Sequence, residues 1–177
     1  MLISDKYLQL NKDFHNKQVF GNSGANWALL AAWFIHRKKI TTILDYGCGE
    51  GSIKRFFNEH LLFTKSMNNF YEYDPAVEGK NALPSPADFI ICTDVLEHIE
   101  PECLDAVLSH IYSLMLGCGF LVISLRGSNN ILGDGKDSHR IIKNSLWWEE
   151  KLIIHNFILH KLDIENPKYL VVFVRKG

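Results

Sequence analysis

A chain of 177 residues, 47% of them hydrophobic, suffices for one globular domain with its own core, and no second domain is expected. A formal net charge of −1 gives no cationic footprint for nucleic acid, and no window reaches the ~18 apolar residues that a membrane span requires. The four cysteines (48, 92, 103 and 118) form no CxxC pair, which argues against a disulfide framework or a zinc site and suits a reducing cytoplasm. The opening MLISDKYLQLNKDF has no apolar core followed by a cleavage site, so an unprocessed cytoplasmic protein is expected.

In chain order, residues 1–40 read as a helical cover and residues 41–177 as an alternating α/β core. Trp27 to Ile35 is nearly continuous apolar sequence, which suits a buried helix, with Ser23 and Asn26 as capping candidates and the basic run His36-Arg37-Lys38-Lys39 at its C-terminal end. A strand is expected at Thr42 to Tyr46. Gly51 to His60 is helical, with Ile53, Phe56 and Phe57 on one face. Phe70 to Tyr73 is a short strand ending at Asp74-Pro75, and residues 76–87, with two prolines and a glycine, form a loop. DFIICTD and GFLVISL are fully buried strands of the kind found in parallel sheets. Between them Pro101 opens a helix whose stripe runs Leu104, Val107, Leu108, Ile111, Leu114, Met115, with Gly117 and Gly119 expected to end it. Residues 126–140 are a long polar loop, Leu146 to Ile154 a helix, and Phe157 to Asp163 with Tyr169 to Val174 an antiparallel hairpin.

Chemistry concentrates at ILDYGCGEGS. A strand ending in Asp45, then Gly47-x-Gly49-x-Gly51 and a helix, lets backbone approach a ligand at the carboxyl end of a parallel strand. Asp74, at the end of the next strand, is placed to accept hydrogen bonds from two ribose hydroxyls. The spacing is not the GxGxxG of dinucleotide enzymes, and no hydride-relay residue is evident for a nicotinamide dehydrogenase.

Three motifs in order carry a resemblance. Asp45-Tyr46-Gly47-Cys48-Gly49-Glu50-Gly51, Tyr73-Asp74-Pro75 and Ala87 to Ile99 (ADFIICTDVLEHI) resemble the first, second and fourth-strand motifs of class I S-adenosylmethionine-dependent methyltransferases. The chain is most similar to short bacterial and phage methyltransferase-domain (type 11/12-like) proteins, which share Phe20-Gly21-Asn22-Ser23-Gly24 and the segment from Asp134-Gly135 through His139 and Ile141 to Trp147-Trp148. The resemblance implies a Rossmann-like α/β sheet of strand order 2-1-4-5-7-6. The outer third strand would be missing, because only Pro75 to Ala87 are available for it, and the second strand would be an edge open to a partner. It also implies S-adenosylmethionine as cofactor and S-adenosylhomocysteine as product. Gly47, Cys48, Gly49 and Gly51, with Tyr46, would pack on the methionine part; Asp45 would hold its ammonium directly or through water, and Asp74-Pro75 the ribose. Thr93, Asp94 and Val95 would line the site, and Phe20, Ser23 and Arg140 would lie on the substrate side.

A small-molecule acceptor is expected, with methyl transfer to oxygen or nitrogen. His139 is the candidate base or substrate anchor, the alternative being a loop-pinning hydrogen bond. His98 is a second catalytic candidate or a packing residue, and Arg140 faces either an acidic substrate or a neighbouring acid. Trp147-Trp148 reads as core plus rim, since adjacent helical residues point apart. Asp94, Glu97 and His98 at i, i+3 and i+4, with His139, would suit an oxygen-nitrogen metal site like that of small-RNA 2′-O-methyltransferases, but the basic surface for RNA is missing, so no metal is assigned. A catalytically silent cofactor-binding scaffold is the remaining alternative.

Overall fold

Apolar runs that must be buried on both faces belong in the middle of a sheet, and DFIICTD and GFLVISL fold there. In the computed structural model, which describes residues 1–17, 22–60, 69–163 and 166–177, helices α1 (Asp5–Lys17) and α2 (Ala28–Lys38) precede strand β1 (Ile43–Tyr46). Helix α3 (Ser52–Glu59), strands β2 (Phe70–Tyr73) and β3 (Ala87–Thr93), helix α4 (Leu104–Leu114) and strand β4 (Met115–Ser124) follow. Helix α5 (Ser145–Ile154) and strands β5 (Phe157–Lys161) and β6 (Tyr169–Lys176) close the chain. The strands form one sheet in the order β2-β1-β3-β4-β6-β5, parallel from β2 to β4 and antiparallel from β4 through β6 to β5. Once the missing third strand is allowed for, this is the expected order, since residues 74–86 contain neither helix nor strand.

Successive strand residues face opposite sides of a sheet, so each strand feeds two cores. Leu44, Ile90, Cys92, Leu121 and Ile123 pack with Leu108 and Ile111 of α4 and Trp148 of α5. Ile43, Phe89, Ile91, Phe120 and Val122 pack on the other face with Ala28, Ala31 and Ile35 of α2 and Phe57 of α3. Among the described residues, no side chain of α1 belongs to either core cluster. Its Tyr7 and Phe14 form a satellite cluster with Leu132 of the loop after β4. At about 1.5–3 kcal/mol per fully buried large apolar side chain, so small a cluster ties α1 far less firmly than the sheet holds its other helices.

Three local expectations are corrected. Neither Ser23 nor Asn26 caps α2: a 3-10 turn over Ser23–Trp27 runs straight into it, and Trp27 takes the cap position without a side-chain hydrogen bond. Gly117 and Gly119 do not end α4, which stops at Leu114; both lie inside β4. A Cβ on Gly117 would come within 2.8 Å of the Asp88 carbonyl oxygen, so glycine permits the close approach of β3 and β4 at their register shift. Asp94 shares no helix face with Glu97 and His98, because its backbone is left-handed (φ 54°) and only Leu96–His98 form a 3-10 turn. Among the described residues, no helix is long and apolar enough to cross a membrane.

Candidate active site

The turn after β1 holds Gly47, Gly49 and Gly51 at φ of 77°, 50° and 75°, a region that residues with a Cβ rarely enter. Space forbids side chains as well: a Cβ on Gly47 would lie 2.4 Å from Val95 Cγ2, and one on Gly51 would lie 2.2 Å from Glu72 Oε1. The turn is tied to the end of β2. The amides of Gly47 and Cys48 donate to the Tyr73 carbonyl (2.7 and 3.1 Å), and that of Gly49 donates to Asp74 Oδ2 (3.1 Å). Asp74 Oδ1 accepts from the Ala76 amide (2.9 Å). A carboxylate offers about four acceptor positions. Each Asp74 oxygen therefore retains capacity for a further donor, which fits a vicinal pair of ribose hydroxyls.

Asp45 lies under this turn, 2% exposed, and its Oδ2 has no hydrogen-bond partner among the described residues. Burial, reinforced by Glu72 and Asp74 and opposed by Lys80, pushes its pKa up to about 8. A buried carboxyl with one oxygen left without a hydrogen-bond partner fits the ammonium of the cofactor's methionine part. A cavity of about 20 Å³ against Asp45, Ser52 and Thr93 has room for one bridging water. Burial also pushes up the Cys48 thiol and the Tyr46 phenol, so both stay neutral; Tyr46 pairs through its hydroxyl with His110 Nδ1 at 2.9 Å.

From the turn a cavity of about 550 Å³ runs along the carboxyl ends of the strands, within the range of small-molecule sites. Gly47, Gly49, Asp74, Pro75 and Val95 line one part, and Tyr7, Asn11, Arg126 and His139 another, with Ser23, Tyr46, Asp94 and His98 also reaching it. Cys48 and Thr93 face the smaller cavity instead, while Phe20 lies outside the described residues.

Two histidines meet on the second part, rings edge to face with centroids 4.5 Å apart. A carbonyl only accepts, so His139 Nδ1, 2.6 Å from the Arg126 oxygen, carries a proton, and so does His98 Nδ1, 3.0 Å from the Ser138 oxygen. In the neutral His139 ring the lone pair then sits on Nε2. Burial first and His139 second push the His98 pKa down to about 3, which holds that ring neutral. Glu97, fully buried with its pKa pushed up to about 8 by burial and Asp94, accepts from the Ser124 amide through Oε1 (2.9 Å). Its carbonyl accepts from the amides of Arg140 and Ile141, pinning the end of the polar loop. Ligand atoms of Glu97, His98 and His139 lie within 4.8 Å of one another, a group that Asp94 does not join.

Of the two readings of Arg140, an acidic substrate or a neighbouring acid, the structure has the neighbouring acid. Its guanidinium donates to both oxygens of Asp134 (3.1 and 3.0 Å), stacks 4.9 Å over the Tyr7 ring, and does not line the cavity. Arg126 is the cation that does. The helical cover expected over residues 1–40 includes α1, but no residue of it is named as a site candidate, and its Tyr7, Asn11 and His15 reach the cavity. The signal was available: Ile3, Tyr7, Leu10 and Phe14 recur at helical spacing and mark a buried face. The loop residues Ser128 to Asn130 carried no such pattern.

A Rossmann-like sheet with a glycine turn after β1, an acid after β2 and a cavity across the strand ends defines the class I methyltransferase architecture. Residues 15–161 match the methyltransferase domain family, and the chain belongs to it as an S-adenosylmethionine-dependent methyltransferase. No curated protein matches in sequence. Solved structures with the same fold include the Burkholderia thailandensis 1,6-didemethyltoxoflavin-N1-methyltransferase with bound 1,6-didemethyltoxoflavin and S-adenosylhomocysteine (TM-score 0.64, 18% identity, 97% of this chain and 89% of that one). The DhpI complex with S-adenosylhomocysteine (TM-score 0.60, 15%, 97% and 94%) and the mitomycin 7-O-methyltransferase MmcR (TM-score 0.65, 14%, 97% and 60%) are similar. At these identities the likeness is one of fold.

Proposed function

We propose that the protein transfers a methyl group to an oxygen or nitrogen of a small-molecule acceptor held between α1 and the 126–140 loop, with His139 as the proton acceptor. The observation that carries this reading is the His139 tautomer. Nδ1 is committed to the Arg126 carbonyl, and the ring lines the same cavity as the glycine turn. Two structural neighbours, an N1- and a 7-O-methyltransferase of small molecules, are consistent with it.

When bound, S-adenosylmethionine supplies an electrophilic methyl group, so what remains for the protein is alignment of the acceptor and a route for its proton. Asp45, the Gly47–Gly51 turn and Asp74 would hold the donor. Tyr7 and Asn11 would hold the acceptor, and Nε2 of His139 would take its proton. Asp137 steadies that ring by accepting from the His139 amide (2.8 Å) and the Ser128 amide (3.1 Å). His98 stays neutral and does not compete for the proton.

The test is release of S-adenosylhomocysteine across a panel of phenols, hydroxylated heteroaromatics and amines. With any acceptor that turns over, His139→Ala is expected to lower kcat/KM by roughly 10²- to 10⁴-fold and leave S-adenosylhomocysteine affinity within about twofold. Equal losses in both would remove His139 from the chemistry. Tight cofactor binding without turnover across the panel would favour the scaffold. A second reading is favoured by the proximity of Glu97, His98 and His139: a divalent cation there would act as a Lewis acid on an acceptor oxygen. Metal content and activity with and without chelator separate the two.

A further inference from the structure

Residues 74–86 occupy the place of a helix and a third strand, which leaves the glycine turn and the ribose acid without that support. Lys80 links them, through its carbonyl to Asp74 and through its ammonium to the turn. The Asp74 amide donates to the Lys80 carbonyl (2.9 Å), folding the segment back over the end of β2. The Lys80 ammonium then donates to the Gly49 carbonyl (3.0 Å) and to Glu72 Oε1 (3.1 Å), while Glu72 Oε2 accepts from Lys54 of α3 (3.0 Å).

The arrangement is specific in two respects. Gly49 is held from both ends, its amide by Asp74 and its carbonyl by Lys80. The Glu72 carboxylate fills the space that a side chain on Gly51 would need, so the same acid that braces Lys80 closes the turn from behind. The Lys80 and Glu72 side chains are only 23% and 15% exposed, which sets them apart from exposed ion pairs worth almost nothing. Neither residue lines the large cavity, so both act through the turn.

We propose that Lys80 is the positioning residue of the cofactor seat: braced on Glu72, its ammonium fixes the Gly49 peptide and thereby the spacing between the glycine turn and Asp74. The inference rests on the reading that the cofactor binds at this turn.

Calorimetric titration of the full chain with S-adenosylhomocysteine tests it, paired with the melting temperature of the free protein. Lys80→Met is expected to weaken binding about tenfold, the worth of one hydrogen bond to a charged group, with little change in the free protein's melting temperature. Lys80→Arg, which keeps a cationic donor, should restore most of the affinity. Glu72→Gln should weaken binding by itself, and the double variant Glu72→Gln/Lys80→Met should bind no worse than Lys80→Met, since the two act as one unit. Asp74→Ala serves as the control for the seat and should weaken binding roughly ten- to a hundredfold. Wild-type affinity in Lys80→Met with binding impaired in Asp74→Ala overturns the positioning role and keeps the seat. Wild-type affinity in both overturns the seat itself and the inference with it. If Lys80→Met does not fold, Glu72→Gln decides, and unchanged affinity there overturns the proposal.

Discussion

At the Gly47 end of the cavity the contacts run mostly through the main chain: turn amides to the Tyr73 carbonyl, one amide to Asp74, and one carbonyl to Lys80. At the His139 end they run through side chains from segments far apart in sequence. Tyr7 of α1 donates to the His98 carbonyl, Ser4 to Glu100, and Arg140 spans Asp134 and the Tyr7 ring. A donor common to a whole family can be met by backbone that any sequence with the right glycines will form. An acceptor particular to one protein needs side chains, and under the function proposed above a weakly anchored helix would supply several of them.

The comparison breaks most visibly at the turn. Gly47→Val puts a Cβ 2.4 Å from Val95 Cγ2 at φ 77°, combining overlap with left-handed strain. S-adenosylhomocysteine binding is expected to fall by about 3 kcal/mol or more, over a hundredfold. Calorimetry checks this, with circular dichroism to confirm that the sheet survives. Undiminished affinity would mean that the glycine turn is not the seat.

A pH series sharpens the same contrast, with a smaller effect. The raised pKa of Asp45, caused mainly by burial, means that the free protein favours its neutral form. The stability this lends is complete below about pH 4, where the unfolded chain is protonated too, and is lost as pH rises towards about 8. Glu97, raised to about 8 by burial and Asp94, behaves alike. An ammonium beside Asp45 reverses the preference at that site alone. Cofactor affinity should therefore rise with pH by up to about tenfold per unit below pH 8. Asp45→Asn should flatten the affinity profile yet leave the part of the stability slope that belongs to Glu97. A flat affinity profile in the unaltered protein would move the ammonium away from Asp45.

The same division explains what could be read in advance. The β3 and β4 runs, the three glycines and Asp74 carry their meaning in local order, and the sheet and the donor end followed from them. The capping role given to Ser23 and Asn26 failed because a 3-10 turn, invisible to hydrophobic periodicity, supplies the entry to α2. Gly117 reads as a helix stop because a glycine needed for the close approach of two strands looks the same in sequence. For Arg140 the sequence leaves an acidic substrate and a neighbouring acid both open; Asp134 of the same loop is that acid, while Tyr7 meets the guanidinium only because α1 docks on the polar loop. Lys80 stands in a segment whose prolines and glycine suggested only a loop, and nothing local ties it to Gly49.

The smallest effect belongs to the anchoring of α1. The Tyr7 hydroxyl donates to the His98 carbonyl (2.7 Å) while its ring, 6% exposed, packs with Phe14 and Leu132 and lies under the Arg140 guanidinium. Tyr7→Phe keeps the ring and its packing and removes one hydrogen bond, a loss of about 1 kcal/mol. Global melting should move by only about 2–4 °C for a chain of this size. The loss should instead appear locally, because α1 rests on a satellite cluster and opens without disturbing either main core. Amide exchange across residues 5–17 is expected to speed up about fivefold, the population change that 1 kcal/mol gives, while S-adenosylhomocysteine affinity stays within about twofold. Removing the Ser4 hydroxyl as well, with Ser4→Ala, takes away its hydrogen bonds to Glu100 and to the Tyr7 amide but keeps the Ser4 amide on Glu100; it should increase exchange further in the same helix and still leave the glycine turn untouched. If cofactor affinity falls in step with the loss of protection in α1, the two ends of the cavity are one cooperative unit, and the acceptor side would have to be treated as part of the donor seat.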